Sequence, residues 1–217
     1  QFNQLVGRIK GRGTDVSGEL VVTSLVALAP RMAPLLVEFQ QAHPDVMIRY
    51  LTGERLFRLE YGEAHVAIRA GNAPDQPDNV VQPFVRQRMG LYASRAYVER
   101  NGVPRDVADC ATHRFVGHDD DSRAPFNKWL SEKIPEAAVT FRSTDTRALE
   151  QAVLAGAGIG FIAVMDADAN PELIEMFPHQ EEWSGPLWLV THVDLHRTTK
   201  VQAFVNFLKE HSKDWDM

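Results

Sequence analysis

The chain has 217 residues, of which 44% are hydrophobic and 24% charged, with a formal net charge of −6. That length and apolar fraction allow a substantial core, as one large domain or two small ones, and exclude a disordered or low-complexity chain. The acidic balance argues against a chain that grips nucleic acid by its own basic face, and no apolar run approaches the roughly 18 residues that span a bilayer.

Residues 1–17 differ from the rest: Arg8, Lys10 and Arg12 alternate with Gly7, Gly11 and Gly13 before Ser17-Gly18. They read as the frayed end of a helix plus a linker, basic because it is solvated. Gln1 to Lys10 has no charged n-region followed by an apolar stretch, so no signal peptide is expected, and a start without Met reads as a fragment or a processed chain. Glu19 to Thr23, rich in β-branched residues, predicts a strand. Leu28, Met32, Leu35, Leu36 and Phe39 then form an apolar helical stripe worth on the order of 7–15 kcal/mol gross when buried. Pro30 and Pro34 suit its opening turns, although Pro34 sits awkwardly if the helix begins as early as Leu28, and Pro44 ends it. Val46 to Leu51 predicts a second strand, Glu54 to Tyr61 a short helix and His65 to Arg69 a third strand. This alternation means a parallel sheet with helices on both faces. A turn-rich loop from Pro74 to Asp78 leads to a strand at Val80 to Val85.

From Gly90 the pattern restarts. Met89 to Ala93 predicts a strand, Arg95 to Arg100 a helix closed by Gly102, Phe115-Val116 a strand, Phe126 to Lys133 a helix and Val139 to Ser143 a strand. Arg147 to Ile162 carries Gly156, Gly158 and Gly160, which mimic a nucleotide-binding loop. A dinucleotide fingerprint needs strand, glycines and helix in that order, because the helix N-terminus must face the phosphates. Here Leu149, Ala152 and Val153 recur at helical spacing before the glycines, and Ile159 to Val164 reads as a buried strand after them. Gly156 stands where a helix C-cap glycine belongs, so the segment is a joint. Leu187 to Thr191 predicts a strand, and Thr198 to Leu208 a final helix with Val201, Phe204, Val205 and Leu208 on one face.

The fold class is therefore α/β, two Rossmann-like lobes with a central cleft, and a ligand in such folds binds beyond the carboxyl ends of the strands. The turns that would build the site are Thr23, Ser24 and Leu25; Thr52, Gly53 and Glu54; Arg69, Ala70 and Gly71; His118, Asp119 and Asp120; and Thr144 and Asp145. Small hydroxyls beside free backbone N–H groups cradle anions, and Arg69 is able to pair with a carboxylate. Ser24, Thr144 and Asp145 equally fit as helix caps.

Catalysis finds little support, because no G-x-S-x-G elbow or P-loop lysine occurs and no catalytic residue or cofactor is assigned. His192 and His196 share an i, i+4 spacing at a strand end without the glutamate of a zinc protease, and Asp119 to Asp121 lack the alternation of a calcium loop. No metal site is expected. Cys110, the single cysteine, excludes an internal disulfide, fits a reducing, cytoplasmic setting and reads as a buried thiol. Trp129, Trp183 and Trp188 read as core or interface.

Six stretches together resemble the effector-binding domain of LysR-type transcriptional regulators. They are Ser17-Gly18-Glu19-Leu20, the Pro30 to Pro44 helix ending in His-Pro-Asp-Val, Gly62 to Arg69, Leu91-Tyr92-Ala93-Ser94, Val153 to Gly160, and Leu187 to His192. Their order and spacing across residues 17–210 carry the resemblance. It implies the type II periplasmic-binding-protein fold, with residues 1–17 the end of a linker helix, 18–88 plus 193–217 the first lobe and 89–192 the second. The family's N-terminal DNA-binding domain is expected to be absent from this chain. Where the family often carries Pro after the glycine segment, Ala163 stands here. The resemblance implies effector contacts on Thr23, Ser24, Leu25, Gly53, Glu54, Arg69, His118 and Thr144. It further implies a metabolite effector, with Arg69 favouring a carboxylate, a homodimer, a tetramer of the full-length protein, and DNA contact only through the missing domain. The alternative is a transporter's solute-binding protein, which shares lobes and cleft.

Overall fold

The computed structural model describes residues 16–52, 59, 63–119 and 122–215. The linker expected before Val16, most of the helix expected at Glu54 to Tyr61, and Gly53, Glu54, Asp120 and Asp121 lie outside them. The chain divides into two compact units, one of Gln1–Phe84 with Trp188–Asp214 and the other of Val85–Leu187 with Trp215–Met217. It passes between them within the strands β4 (Asn79–Gln87) and β10 (Gly185–His192), and again at Asp214–Trp215.

The first unit is built on β1 (Gly18–Ser24), β2 (Val46–Thr52) and β3 (Val66–Ala70). With β10 and β4 they form a sheet in the order β2-β1-β3-β10-β4, and β1 runs parallel to both its neighbours. A 3-10 turn at Val26–Leu28 precedes α1 (Ala29–Ala42), so the helix starts one residue later than its apolar stripe. Pro30 sits in the first turn, where no amide is needed, while Pro34 lies inside the helix on its exposed side. Leu28, Met32, Leu36 and Phe39 are buried and Leu35 is half-buried, so the stripe belongs mainly to this unit's own core. It packs against the last helix, α7 (Thr199–His211), which buries Val201, Phe204, Val205 and Leu208. Phe39 meets the edges of Phe204 and Phe207 at ring-centroid distances of 5.3 Å, the geometry aromatic quadrupoles favour. Val21, Leu51, Ala67 and Val190 form a second cluster with Leu59 and Ala64, and alternation puts Leu20 and Val22 on the opposite face.

The second unit departs from the expected all-parallel pattern. β5 (Met89–Ser94) lies between β8 (Gly160–Ala163) and β9 (Leu173–Glu175), antiparallel to both. β6 (Phe115–His118) and β7 (Val139–Ser143) pair in parallel, and Phe115 of β6 also bridges Ile159 in parallel. The sequence pattern missed β9 and the short helix α5 (Val164–Asp168), each too brief to show a period. Every residue of β5 is buried. Met89, Leu91 and Ala93 join one core with Phe115, Trp129 and Trp183, while Tyr92 joins the other with Val116, Leu149 and Val153. This period-2 division between two cores means the strands are covered on both sides. The covering helices include α2 (Arg95–Asn101), α3 (Pro125–Lys133) and α4 (Thr146–Leu154). In the first unit, a short α6 (Val193–His196) precedes α7.

The glycine segment is a helix-to-strand joint. Gly156 has φ +88°, the Gly156 amide donates to the Val153 carbonyl at 3.0 Å, and the Ala157 amide donates to the Ala152 carbonyl at 2.9 Å. That pair of bonds is a Schellman motif, which needs a residue without Cβ at its left-handed position. A Cβ on Gly158 would fall 2.6 Å from the Arg114 carbonyl oxygen, so that glycine permits two backbones to touch.

Candidate functional site

In the first unit, β2, β1 and β3 are parallel neighbours, so their carboxyl ends lie along one sheet edge. That edge carries Thr23 and Ser24 from β1, Thr52 from β2, and Arg69 and Ala70 from β3. Thr23 and Ser24 are buried, Arg69 is half-buried and Thr52 is exposed. The register pairs Thr23 with Ala67 and Val22 with both Tyr50 and Val66. Because side chains alternate, Thr23 and Arg69 share one face while Ser24 and Tyr50 share the other. The sequence grouped Ser24 with Arg69; the sheet sets them on opposite faces of the same edge.

Ser24 does not cap a helix. Its Oγ donates to the Leu25 carbonyl at 2.9 Å and lies 2.5 Å from the Tyr50 hydroxyl. Leu25 stands at the N-cap position of the 3-10 turn with no side-chain cap, and its carbonyl also accepts the Leu28 amide at 3.1 Å. Burial raises the Tyr50 phenol above its ordinary pKa, partly opposed by the Ser24 hydrogen bond. Tyr50 was not among the expected site residues. Nothing in a single strand's sequence reveals which residue of the next strand it faces.

In the second unit, the parallel pair β6 and β7 brings His118 opposite Ser143. His118 is half-buried and its carbonyl accepts from Arg142 Nη1 at 3.1 Å. Thr144 is exposed; the cap of α4 is Asp145, whose Oδ1 accepts the Arg147 amide at 2.9 Å. The Arg147 side chain, then its amide, hold the Asp145 carboxyl below the usual range. Ser143 Oγ accepts the Asp145 amide at 3.1 Å. Of the three residues expected as ligand contacts or caps, Asp145 alone acts as a cap.

The other histidines have structural duties. His65 Nδ1 accepts the Val21 amide at 2.8 Å and its own amide donates to the Val21 carbonyl, so it extends the β1–β3 pairing. His192 caps α6, and His196 Nδ1 bonds Thr191 Oγ1 at 2.9 Å. His179 bonds the Met89 carbonyl at 2.7 Å and Ser184 Oγ at 3.3 Å. These hydroxyl–imidazole pairs resemble a nucleophile and base, but Ser184 and Thr191 are only 7% and 1% exposed. Cys110 is buried, and desolvation with nearby Asp109 and Asp106 pushes its thiol up to about 11. Trp129 and Trp183 meet edge-on in the second unit's core, while Trp188 Nε1 donates to the Gly71 carbonyl at 2.8 Å. Among the described residues no three His, Cys, Asp or Glu side chains are placed to hold a metal ion, and no helix is long and apolar enough to cross a membrane.

Residues 13–213 match the family model described as the LysR substrate binding domain. An HTH-type transcriptional repressor of Pseudomonas aeruginosa is 27% identical, with 97% of this chain and 69% of the relative covered. The HTH-type transcriptional regulator CrgA of Neisseria meningitidis is 24% identical over 82% of this chain and 62% of its own length. The chain thus spans about half to two-thirds of the curated relatives it matches, from 54% to 69%. Among solved structures, the CrgA regulatory domain superposes with a TM-score of 0.77 at 22% identity, covering 90% of this chain and 98% of that one. Full-length AphB of Vibrio cholerae gives 0.71 at 16% identity, covering 95% of this chain and 74% of that one. These likenesses show the two-lobed, periplasmic-binding-protein-like fold.

Proposed function

Because this chain belongs to the LysR substrate-binding domain family, we propose that it is the part of a longer transcriptional regulator that senses a small molecule and passes the signal to a DNA-binding domain. The observation that carries the reading is the polar carboxyl edge of β1, β2 and β3, with buried Thr23 and Ser24 beside half-buried Arg69. Effector contacts fall on Thr23, Ser24, Leu25 and Arg69 in the first unit, with Gly53 and Glu54, which follow β2 in the sequence. In the second unit they fall on His118 and Thr144. Occupancy shifts the balance of states that the full regulator adopts on DNA. The domain binds without turnover and works in the cytoplasm. The membership of the family favours this over a transporter's solute-binding protein.

The protein acts as a homodimer, and the full regulator as a tetramer. Val37 on α1, an apolar side chain 53% exposed, supports a second copy covering that helix. The site is tested by a thermal-shift screen of metabolites, since a ligand at 100 times its Kd stabilises by roughly 2.7 kcal/mol. Calorimetry with the resulting effector then compares wild type with Ser24→Ala and Arg69→Ala. Both variants are expected to weaken binding while keeping the fold. Unchanged affinity in both overturns the site, and steady turnover of the effector overturns the non-catalytic reading.

A further inference from the structure

Two hydroxyl groups meet at the carboxyl edge of β1 and β2, and each brings one hydrogen. Ser24 directs its hydrogen to the Leu25 carbonyl at 2.9 Å, and its oxygen lies 2.5 Å from the Tyr50 hydroxyl. With the serine hydrogen so placed, the hydrogen between the two oxygens belongs to Tyr50. The pair then has no hydrogen left to give and only lone pairs to offer. We propose that Tyr50 belongs to the effector site and that the Ser24–Tyr50 pair is an acceptor, which selects a ligand group bearing N–H or O–H over a carboxylate. This rests on the strand-edge reading of the site given above.

The surroundings reinforce the polarity. Burial raises the Tyr50 phenol above its ordinary pKa, which favours the protonated hydroxyl that donates to Ser24. A carboxylate brings lone pairs to lone pairs, and it binds only if the pair is rewired. Ser24 must release Leu25 and turn its hydrogen either to the ligand or to Tyr50, in the second case freeing the phenolic hydrogen for the ligand. The Leu25 carbonyl keeps the Leu28 amide at 3.1 Å, so rewiring leaves it one partner but forfeits one hydrogen bond. That loss amounts to roughly fivefold to tenfold in affinity.

The test uses two probes of one shape, acetamide and acetate, titrated at matched ionic strength into the whole chain carrying ring-labelled tyrosine. The chain has 4 tyrosines; Tyr50→Phe assigns the Tyr50 carbon signal, and the other signals report whether each variant is folded. Acetamide is expected to shift the Tyr50 signal saturably, at a concentration at least about fivefold below acetate, and Ser24→Ala is expected to erase that preference. If acetate shifts the Tyr50 signal at equal or lower concentration, the acceptor assignment is overturned while the strand-edge site stands. If neither probe moves the Tyr50 signal, both the assignment and the strand-edge site are overturned.

Discussion

Gly158→Ala separates a glycine that a fold requires from one it merely tolerates. The added Cβ would lie 2.6 Å from the Arg114 carbonyl oxygen, 2.8 Å from its carbon and 3.1 Å from the Phe115 nitrogen. All three are backbone atoms, and they are pinned. The Ile159 amide donates to the Arg114 carbonyl at 2.8 Å, and the Val116 amide donates to the Ile159 carbonyl at 2.8 Å. Gly158 is not among the positive-φ glycines, so the effect is steric alone. Overpacking of this kind costs about 1–3 kcal/mol, offset by about 0.4–1 kcal/mol from the lower unfolded-state entropy of alanine. A net loss of roughly 1–2 kcal/mol lowers Tm by roughly 2–8 °C in a domain of this size. Gly185→Ala is the control: it too lacks a positive φ, and its nearest neighbour, Pro125 Cγ, would be 3.7 Å from the new Cβ. Calorimetry should find that control at or slightly above wild type. If Gly158→Ala melts within about 1 °C of wild type, close backbone approach is not what requires glycine there.

Three further outcomes follow from the packing and the titrating groups. Burial first, then Lys200, lower the His65 pKa from its ordinary 6.5, with Glu19 opposing. The neutral ring accepts the Val21 amide, so its contribution is present above the unfolded pKa and is lost as pH falls through the lower folded value. Urea midpoints at about pH 7.5 and 5.5 should therefore fall further for wild type than for His65→Gln; equal falls refute the assignment. Cys110, buried with a thiol pushed up to about 11, should resist iodoacetamide at neutral pH until the protein unfolds, and rapid labelling of native protein contradicts that burial. Phe39→Ala should lose about 3–5 kcal/mol in urea unfolding, and Val37→Ala about 0.5 kcal/mol or less if its face stays open to water. A larger, concentration-dependent loss at Val37 indicates that a second copy covers it.

The long amphipathic helices were legible because their burial follows a local period: Met32, Leu36 and Phe39 in α1, and Val201, Phe204, Val205 and Leu208 in α7, are all buried. The joint at Gly156 was legible for the same reason, since the cap lies within four residues of the helix it ends. Strand direction in the second unit was not. β5 pairs with β8 and β9, which lie about seventy and eighty residues downstream, and nothing in Leu91-Tyr92-Ala93 states whether those partners run with or against it. An apolar run buried on both faces reads alike in parallel and antiparallel sheets. Capping at α4 was ambiguous for a different reason. Ser143, Thr144 and Asp145 are all competent caps, and one residue of register decides among them.

The same limit governs the site. Reading strand ends from the sequence found Thr23, Ser24 and Arg69 on one edge, because an end is a local property. Which of them act together depends on register, which is not. The pairings of Thr23 with Ala67 and of Val22 with Tyr50 assign Arg69 to the face of Thr23 and Tyr50 to the face of Ser24. In the proposed site, an arginine that attracts anions and a hydroxyl pair that accepts hydrogens would therefore meet a ligand from opposite sides of the sheet edge. A simple carboxylate satisfies only the first. A ligand that bears an anionic group at one end and an N–H or O–H donor at the other satisfies both, and it reads the edge in one orientation. The expectation of a carboxylate at Arg69 and the acceptor character of Ser24–Tyr50 are thus compatible, as two ends of one molecule.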